Sequence, residues 1–154
     1  RRSSDLRLAQ LGLAASIQPQ HAMDDRDVIA RFWGTPAGIP YAFNSLHKAG
    51  TKLLMGSDAP VAPLDPWLAI SAAVFGTESS DREPFQPEQC LDFETALASS
   101  TAVGRVALRD ADAADLVLLD CDPSIIDSPE AMRAMPEHVL GTMLAGRWTY
   151  QQAE

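Results

Sequence analysis

Twice in the first 55 residues an amphipathic stretch ends on a glycine and runs at once into a short apolar segment. Residues 5–11, "DLRLAQL", stop at Gly12 and are followed by 13–18, "LAASIQ". Residues 41–49, "YAFNSLHKA", stop at Gly50 and are followed by 51–55, "TKLLM". Apolar residues at helical spacing ahead of a glycine predict a helix and its C-terminal stop. A short apolar run, closed by Pro19 in one case and Gly56 in the other, predicts a buried strand. Helix–strand–helix–strand with short connections is the pattern of parallel α/β construction. Between the two strands, residues 22–40 are punctuated by Pro36, Gly38 and Pro40 and read as a loop that could hold a helical turn.

Beyond residue 60 the signals continue. Asp65-Pro66 puts a capping carboxylate before a proline at the first helical position, and "PWLAISAAVF" follows as a largely apolar helix. Residues 76–90 read as a polar loop, and Asp92 caps a predicted helix over 93–107. The character changes near Leu108. Residues 115–120, "DLVLLD", predict a strand, 127–135 a short capped helix, and 138–150 two strands joined at Ala145-Gly146. The expected domain organisation is 1–107 as βα units and 108–154 as a β-rich tail.

Composition narrows the class. At 154 residues, with 46% hydrophobic and 21% charged residues, the chain suits one soluble domain or part of a larger one. No apolar run approaches the roughly 20 residues that span a bilayer, and no signal peptide opens the chain, so the expected compartment is the cytoplasm and no membrane partner is expected. A net charge of −9 argues against nucleic acid as a partner, because phosphate recognition needs a basic face. The first residue is Arg1 rather than Met, consistent with a piece of a longer chain. Cys90 and Cys121 sit in no ligand-type spacing and are expected as two unpaired thiols without metal chemistry, one disulfide between them being the alternative.

The segment 53–60, "LLMGSDAP", carries the strongest chemical signal. It runs a strand into Asp58 and holds that carboxylate between Gly56 and Pro60, which restricts Ala59. Sites in parallel α/β proteins lie at the C-terminal ends of the strands, and Gly56 would let the backbone approach a neighbour or ligand. A carboxylate fixed there suits metal ligation or general-base work; the plainer alternative is that it caps a turn. Gln18 and His21 follow the preceding strand and share that rim if the strands are parallel. His21 could bind metal, donate to a substrate oxygen or carry a proton, or simply sit on a loop. Ser57 is not in a nucleophile elbow, so a covalent role is disfavoured. His47 and His138 read as surface and structural, the cluster 24–27 ("DDRD") as a solvated loop or helix start, and Trp67 as packing that could wall a pocket.

Taken in order, "ASIQPQH", "YAFNSLHKAGTKLLMGSDAPVAPLDPWLAISAAV", "PEQCLDFETALASSTAVGRVA", "ADLVLLDCDP" and "TMLAGRWTY" resemble the C-terminal part of the amidohydrolase superfamily. The branch is metal-dependent amidohydrolase family 3, which includes N-substituted formamide deformylase-like proteins. The resemblance implies an α/β fold: the last part of a metal-dependent hydrolase (β/α)8 TIM barrel, followed by strands of a small composite β-sandwich. It implies hydrolysis of a non-peptide C–N bond, amide or formamide-like, in a small-molecule substrate. Asp58 matches the aspartate that ends the last barrel strand, which contacts the metal and takes the proton from the attacking water. His21, Gln18 and Ser57 would then line the substrate pocket. A divalent metal, zinc by expectation, belongs to the complete enzyme.

Several family features have no counterpart here. The HxH pair, the bridging carboxylate or carboxylated lysine and two further histidines lie upstream in the family. The approach to "ADLVLLD" is shortened to "RVALRDADA". One Asp and one His fall short of the three protein ligands of a catalytic zinc, and two strands cannot close a barrel. The chain alone is therefore expected to be inactive and to hold no metal. It is expected to form a homo-oligomer or to join a missing N-terminal half. The alternatives are a non-catalytic α/β remnant that oligomerises and one half of a split amidohydrolase.

Overall fold

The computed structural model describes residues 7–34, 38–102, 104, 106–110 and 112–153. Pro36, Val103 and Arg105, and the start of the first expected helix at Asp5 and Leu6, lie outside the described residues; residues 7–10 are helical. The two strands that follow each glycine stop are β1 (Ala14–Ile17) and β2 (Lys52–Met55), and they pair in parallel with Ala14 opposite Lys52 and Ile17 opposite Met55. These form a two-stranded parallel sheet rather than a closed barrel among the described residues. The backbone N–H of Gly56 donates to the Ile17 carbonyl at 3.0 Å, extending the ladder one residue past β2.

Between them, residues 22–32 of the expected loop belong to a 14-residue helix, α1 (Pro19–Phe32), longer than the single turn allowed for. Pro19, which reads as the end of a strand, is the first residue of the helix, where its missing N–H costs nothing and its fixed φ is already helical. Ala22, Met23 and Ile29 turn inward, and the charges at 24–27 ride the outer face. These charges have partners: Asp25 accepts from Tyr41 Oη, Asp27 pairs with Arg82, and Arg26 donates to the Glu83 carbonyl at 2.6 Å. The next helix, α2 (Phe43–Lys48), buries Phe43 and leads through Gly50 into β2.

Helix α3 (Pro66–Phe75) is the core's spine. Asp65 caps it by accepting from Trp67 N–H at 2.9 Å. Its sequence is apolar on every side, as a helix surrounded by protein must be. It packs against α1, α4 (Phe93–Ser100) and α5 (Pro129–Arg133). Trp67 is buried in this core rather than walling a pocket. Asp92 caps α4 through the Thr95 N–H, but that helix stops at Ser100, short of residue 107, because Thr101 turns extended.

The remainder is the three-stranded antiparallel sheet β3 (Leu116–Leu119), β4 (Val139–Leu144) and β5 (Arg147–Gln151), in that spatial order. The β4–β5 turn takes positive φ at both Ala145 and Gly146, the conformation whose twist matches a two-residue hairpin. Met132 and Met135, from the link between β3 and β4, are fully buried in the same core as Ile17, Leu53 and Ile70. The second layer of a sandwich is not present among the described residues.

Two further features tie the long 76–90 connection to this core. Gly76 adopts φ 63° at the end of α3, and an added Cβ would lie 2.8 Å from Cys90 Sγ and 3.1 Å from the Phe85 carbonyl oxygen. Glu130 of α5 accepts from Ser80 N–H at 2.6 Å and Ser80 Oγ at 2.7 Å, which lowers its carboxyl to about 2. Gly76→Ala is therefore expected to cost about 2 kcal/mol or more in urea unfolding, combining backbone strain with a clash. Gly38→Ala, at a site with open space and no positive φ, should cost less than about 0.5 kcal/mol. Because the folded-state Glu130 is more acidic than its usual value of 4.5, its contribution is complete above pH 4.5 and is lost as pH falls towards 2. Melting temperatures of Glu130→Gln should fall less steeply than wild type across that window.

Candidate active-site rim

Parallel pairing in register means that β1 and β2 end side by side, so the residues that follow them meet. Asp58 lies three residues beyond Met55 and is held at φ 59°, a left-handed conformation that Asp tolerates better than most residues. Its carbonyl accepts from Val61 N–H at 2.9 Å, and Ser57 Oγ accepts from Ala59 N–H at 3.2 Å, so the loop is braced from both sides of the carboxylate. His21 sits in the first turn of α1. Its Nε2 is 3.3 Å from Asp58 Oδ2, and its Nδ1 is 3.6 Å from Asp24 Oδ2. The imidazole is mostly covered, 22% exposed, while the Asp58 side chain is 60% exposed and open to solvent. The result is a carboxylate presented at the rim, with an imidazole between it and a second carboxylate.

Of the other residues expected here, Gln18 points back along β1 and donates from Nε2 to Ser16 Oγ at 2.9 Å. Ser57 lines a cleft of about 270 Å³ at the end of β2, together with Met55, Gly56, Leu64, Asp65 and Ser100. Gln18, His21 and Asp58 do not line that cleft. A Cβ on Gly56 would meet nothing within 4 Å, so no close approach to the described residues requires a glycine there. Asp24 was missed as a site neighbour because its segment reads as loop; placing Pro19 at the start of a helix puts Asp24 three residues after His21, on the same face.

The rim supplies two converging donors, His21 Nε2 and Asp58 Oδ2, which is fewer than the three protein ligands of a catalytic zinc. Asp58 and His21 can provide part of a metal's ligand set, and the rest would have to come from elsewhere. One group of three metal-type ligands does occur among the described residues, beside the ends of β3 and β4: Asp120, Cys121 and His138. No sequence spacing marks this group; the fold brings Cys121 beside Asp120 and His138, which meet across 18 residues. Cys90 and Cys121 are both free thiols, as expected. Burial raises both above the usual thiol range, so neither is an activated nucleophile.

Fold and rim together define an α/β chain with a carboxylate and an imidazole at the C-terminal ends of adjacent parallel strands. The sequence profile of the amidohydrolase family matches residues 6–150, and the chain belongs to that family. It is 30% identical to Protein LONG AFTER FAR-RED 3 of Arabidopsis thaliana over 94% of this chain and 26% of the relative. It is 26% identical to YtcJ of Bacillus subtilis over 96% of this chain and 30% of that protein. Among solved structures, a metal-dependent hydrolase from Pyrococcus horikoshii aligns with a TM-score of 0.55 and 28% identity, covering 68% of this chain and 22% of that one. The chain thus spans about a third or less of the relatives it matches. Among the described residues no helix is long and apolar enough to cross a membrane.

The left-handed backbone at Asp58 sets a conformational demand that can be tested apart from its charge. Asn shares the tolerance for this conformation, so Asp58→Asn should unfold within about 0.5 kcal/mol of wild type. A β-branched residue does not share it, and Asp58→Val should lose about 1–3 kcal/mol in the same urea titration.

Proposed function

We propose that the protein to which this chain contributes hydrolyses a non-peptide C–N bond, amide or formamide-like, in a small molecule, and that Asp58 is its general base. The observation that carries this reading is the His21–Asp58 pair at 3.3 Å, at the C-terminal ends of two parallel strands in an amidohydrolase-family chain. A carboxylate held by its own backbone, and partly solvent-exposed, can accept a proton from water without first being freed from a buried ion pair. His21 orients that carboxylate through Oδ2 and stands where it can also face a substrate oxygen. Ser57 and the cleft beside it form one wall of the substrate pocket, and Gln18, at the end of β1, would join it by turning its amide away from Ser16. A divalent metal, zinc in this proposal, would be held in part by Asp58 and would polarise the scissile carbonyl.

The proposal includes inactivity of the chain by itself, because two donors fall short of a catalytic ligand set. The remaining ligands would come from an N-terminal half, in the same or a second polypeptide. A second reading is a non-catalytic α/β domain that self-associates; the exposure of Leu54 on β2 and of Val61 and Leu64 just beyond the rim favours it.

Formate or amine release from N-substituted formamides and aryl amides separates these readings. The 154-residue chain with added Zn²⁺ should show no turnover. A protein that joins it to an upstream segment carrying an HxH pair should turn these substrates over. Asp58→Asn in that protein should lower kcat by about 10²–10⁴-fold. Turnover by the chain alone would overturn the incomplete-site reading, and an unimpaired Asp58→Asn would overturn the general-base role.

A further inference from the structure

The corner where β3 gives way to the chain beyond it holds a set of side chains that the hydrolase reading does not use. Strand β3 pairs with β4 through a register shift between Leu118 and Leu119, after which the chain bends at Asp120 and Cys121. Asp120 N–H donates to the His138 carbonyl at 3.1 Å, so the bend is tied to the end of the turn Met135–His138. Two successive residues of a regular strand point to opposite faces. The bend removes that constraint, and one ligand atom each from Asp120, Cys121 and His138 lies within 4.8 Å of the others. His138 Nδ1 is 2.8 Å from Asp120 Oδ1. Below them Met135, fully buried, places its Sδ 3.8 Å from Cys121 Sγ.

From this geometry we propose that Asp120, Cys121 and His138 form a zinc site that clamps the β3–β4 corner, separate from the Asp58 rim. The donor set is one carboxylate oxygen, one imidazole nitrogen and one thiolate sulfur, a combination that suits Zn²⁺ and disfavours Mg²⁺ or Ca²⁺, which take oxygen ligands. Zinc bonds of about 2.0–2.3 Å place tetrahedral ligands about 3.3–3.7 Å apart. The observed spread, from 2.8 Å between His138 and Asp120 to within 4.8 Å across the group, brackets this. Asp120 and His138 are 45% and 43% exposed, which gives the ion a path in and leaves a fourth position for water. The buried Met135 closes the opposite side. Entry of zinc displaces the thiol proton to solvent and replaces the direct Asp120–His138 contact with two bonds to the metal. The simpler alternative is that Asp120 and His138 make a surface ion pair and the thiol is only its neighbour.

The test is metal-free wild-type protein titrated with Zn²⁺ alone, and with Co²⁺ as a spectroscopic substitute. Wild type should bind one equivalent of zinc at this corner with a rise in melting temperature, and the Co²⁺ form should show a thiolate-to-cobalt charge-transfer band. Cys121→Ser should abolish the band and weaken zinc at least tenfold, as should His138→Gln, while His21→Ala leaves both unchanged. The wild-type cobalt spectrum tests thiolate ligation even where a variant folds poorly. A cobalt complex without the charge-transfer band, zinc affinity unmoved by either corner variant, or binding lost in His21→Ala would overturn the proposal.

Discussion

Everything at the rim depends on one short parallel ladder. β1 and β2 contribute four residues each, in register from Ala14–Lys52 to Ile17–Met55, and Gly56 N–H closes the end by donating to the Ile17 carbonyl. Since the strands run in the same direction and stop together, the chain leaving each must emerge on the same side. One exit enters a helix at Pro19 and presents His21 from its first turn; the other turns left-handed and presents Asp58. A one-residue slip would reverse the facing of every β2 side chain and carry Asp58 away from His21. Leu53, buried on that strand while Lys52 and Leu54 are exposed, fixes the register from the core side.

What the sequence made legible were features with local causes. The glycine stops, the Asp65-Pro66 cap and the Ala145-Gly146 turn each state their conformation within a few residues, and the structure forms the helix, the cap and the hairpin there. The helix over 19–32 shows in the sequence only as a possible turn within the loop 22–40, because proline serves equally to end a strand and to begin a helix, and the four charges at 24–27 hide the inward row of Ala22, Met23 and Ile29. The expected end of α4 at residue 107 runs past Gly104, at φ 67°, a glycine stop of the kind that closes the earlier helices, and the helix ends sooner still, where Thr101 turns extended. The His21–Asp58 pairing was legible only as a consequence of parallel strands. The Asp120–Cys121–His138 group was not legible at all, since it arises from a register shift and a bend that no short motif encodes.

The two candidate ligand groups differ in kind. The rim pair is open, belongs to strand ends, and contributes too few donors to hold a catalytic ion alone, which fits a chain covering about a third or less of its relatives. The corner group offers three protein donors, one more than the rim pair, and lies among elements that share a core through Met132 and Met135. What separates the two is therefore donor number and place in the fold: the rim is completed only by further chain, whereas the corner draws all three donors from this one.

Amide hydrogen exchange at Gly56 tests the central claim most directly, because that N–H forms the last bond of the β1–β2 ladder. If the ladder holds the rim, the Gly56 amide exchanges at least about 100-fold more slowly than in an unstructured chain. Exchange at the unprotected rate, with α3 amides still protected, would mean that the core folds without the ladder and that nothing fixes Asp58 beside His21.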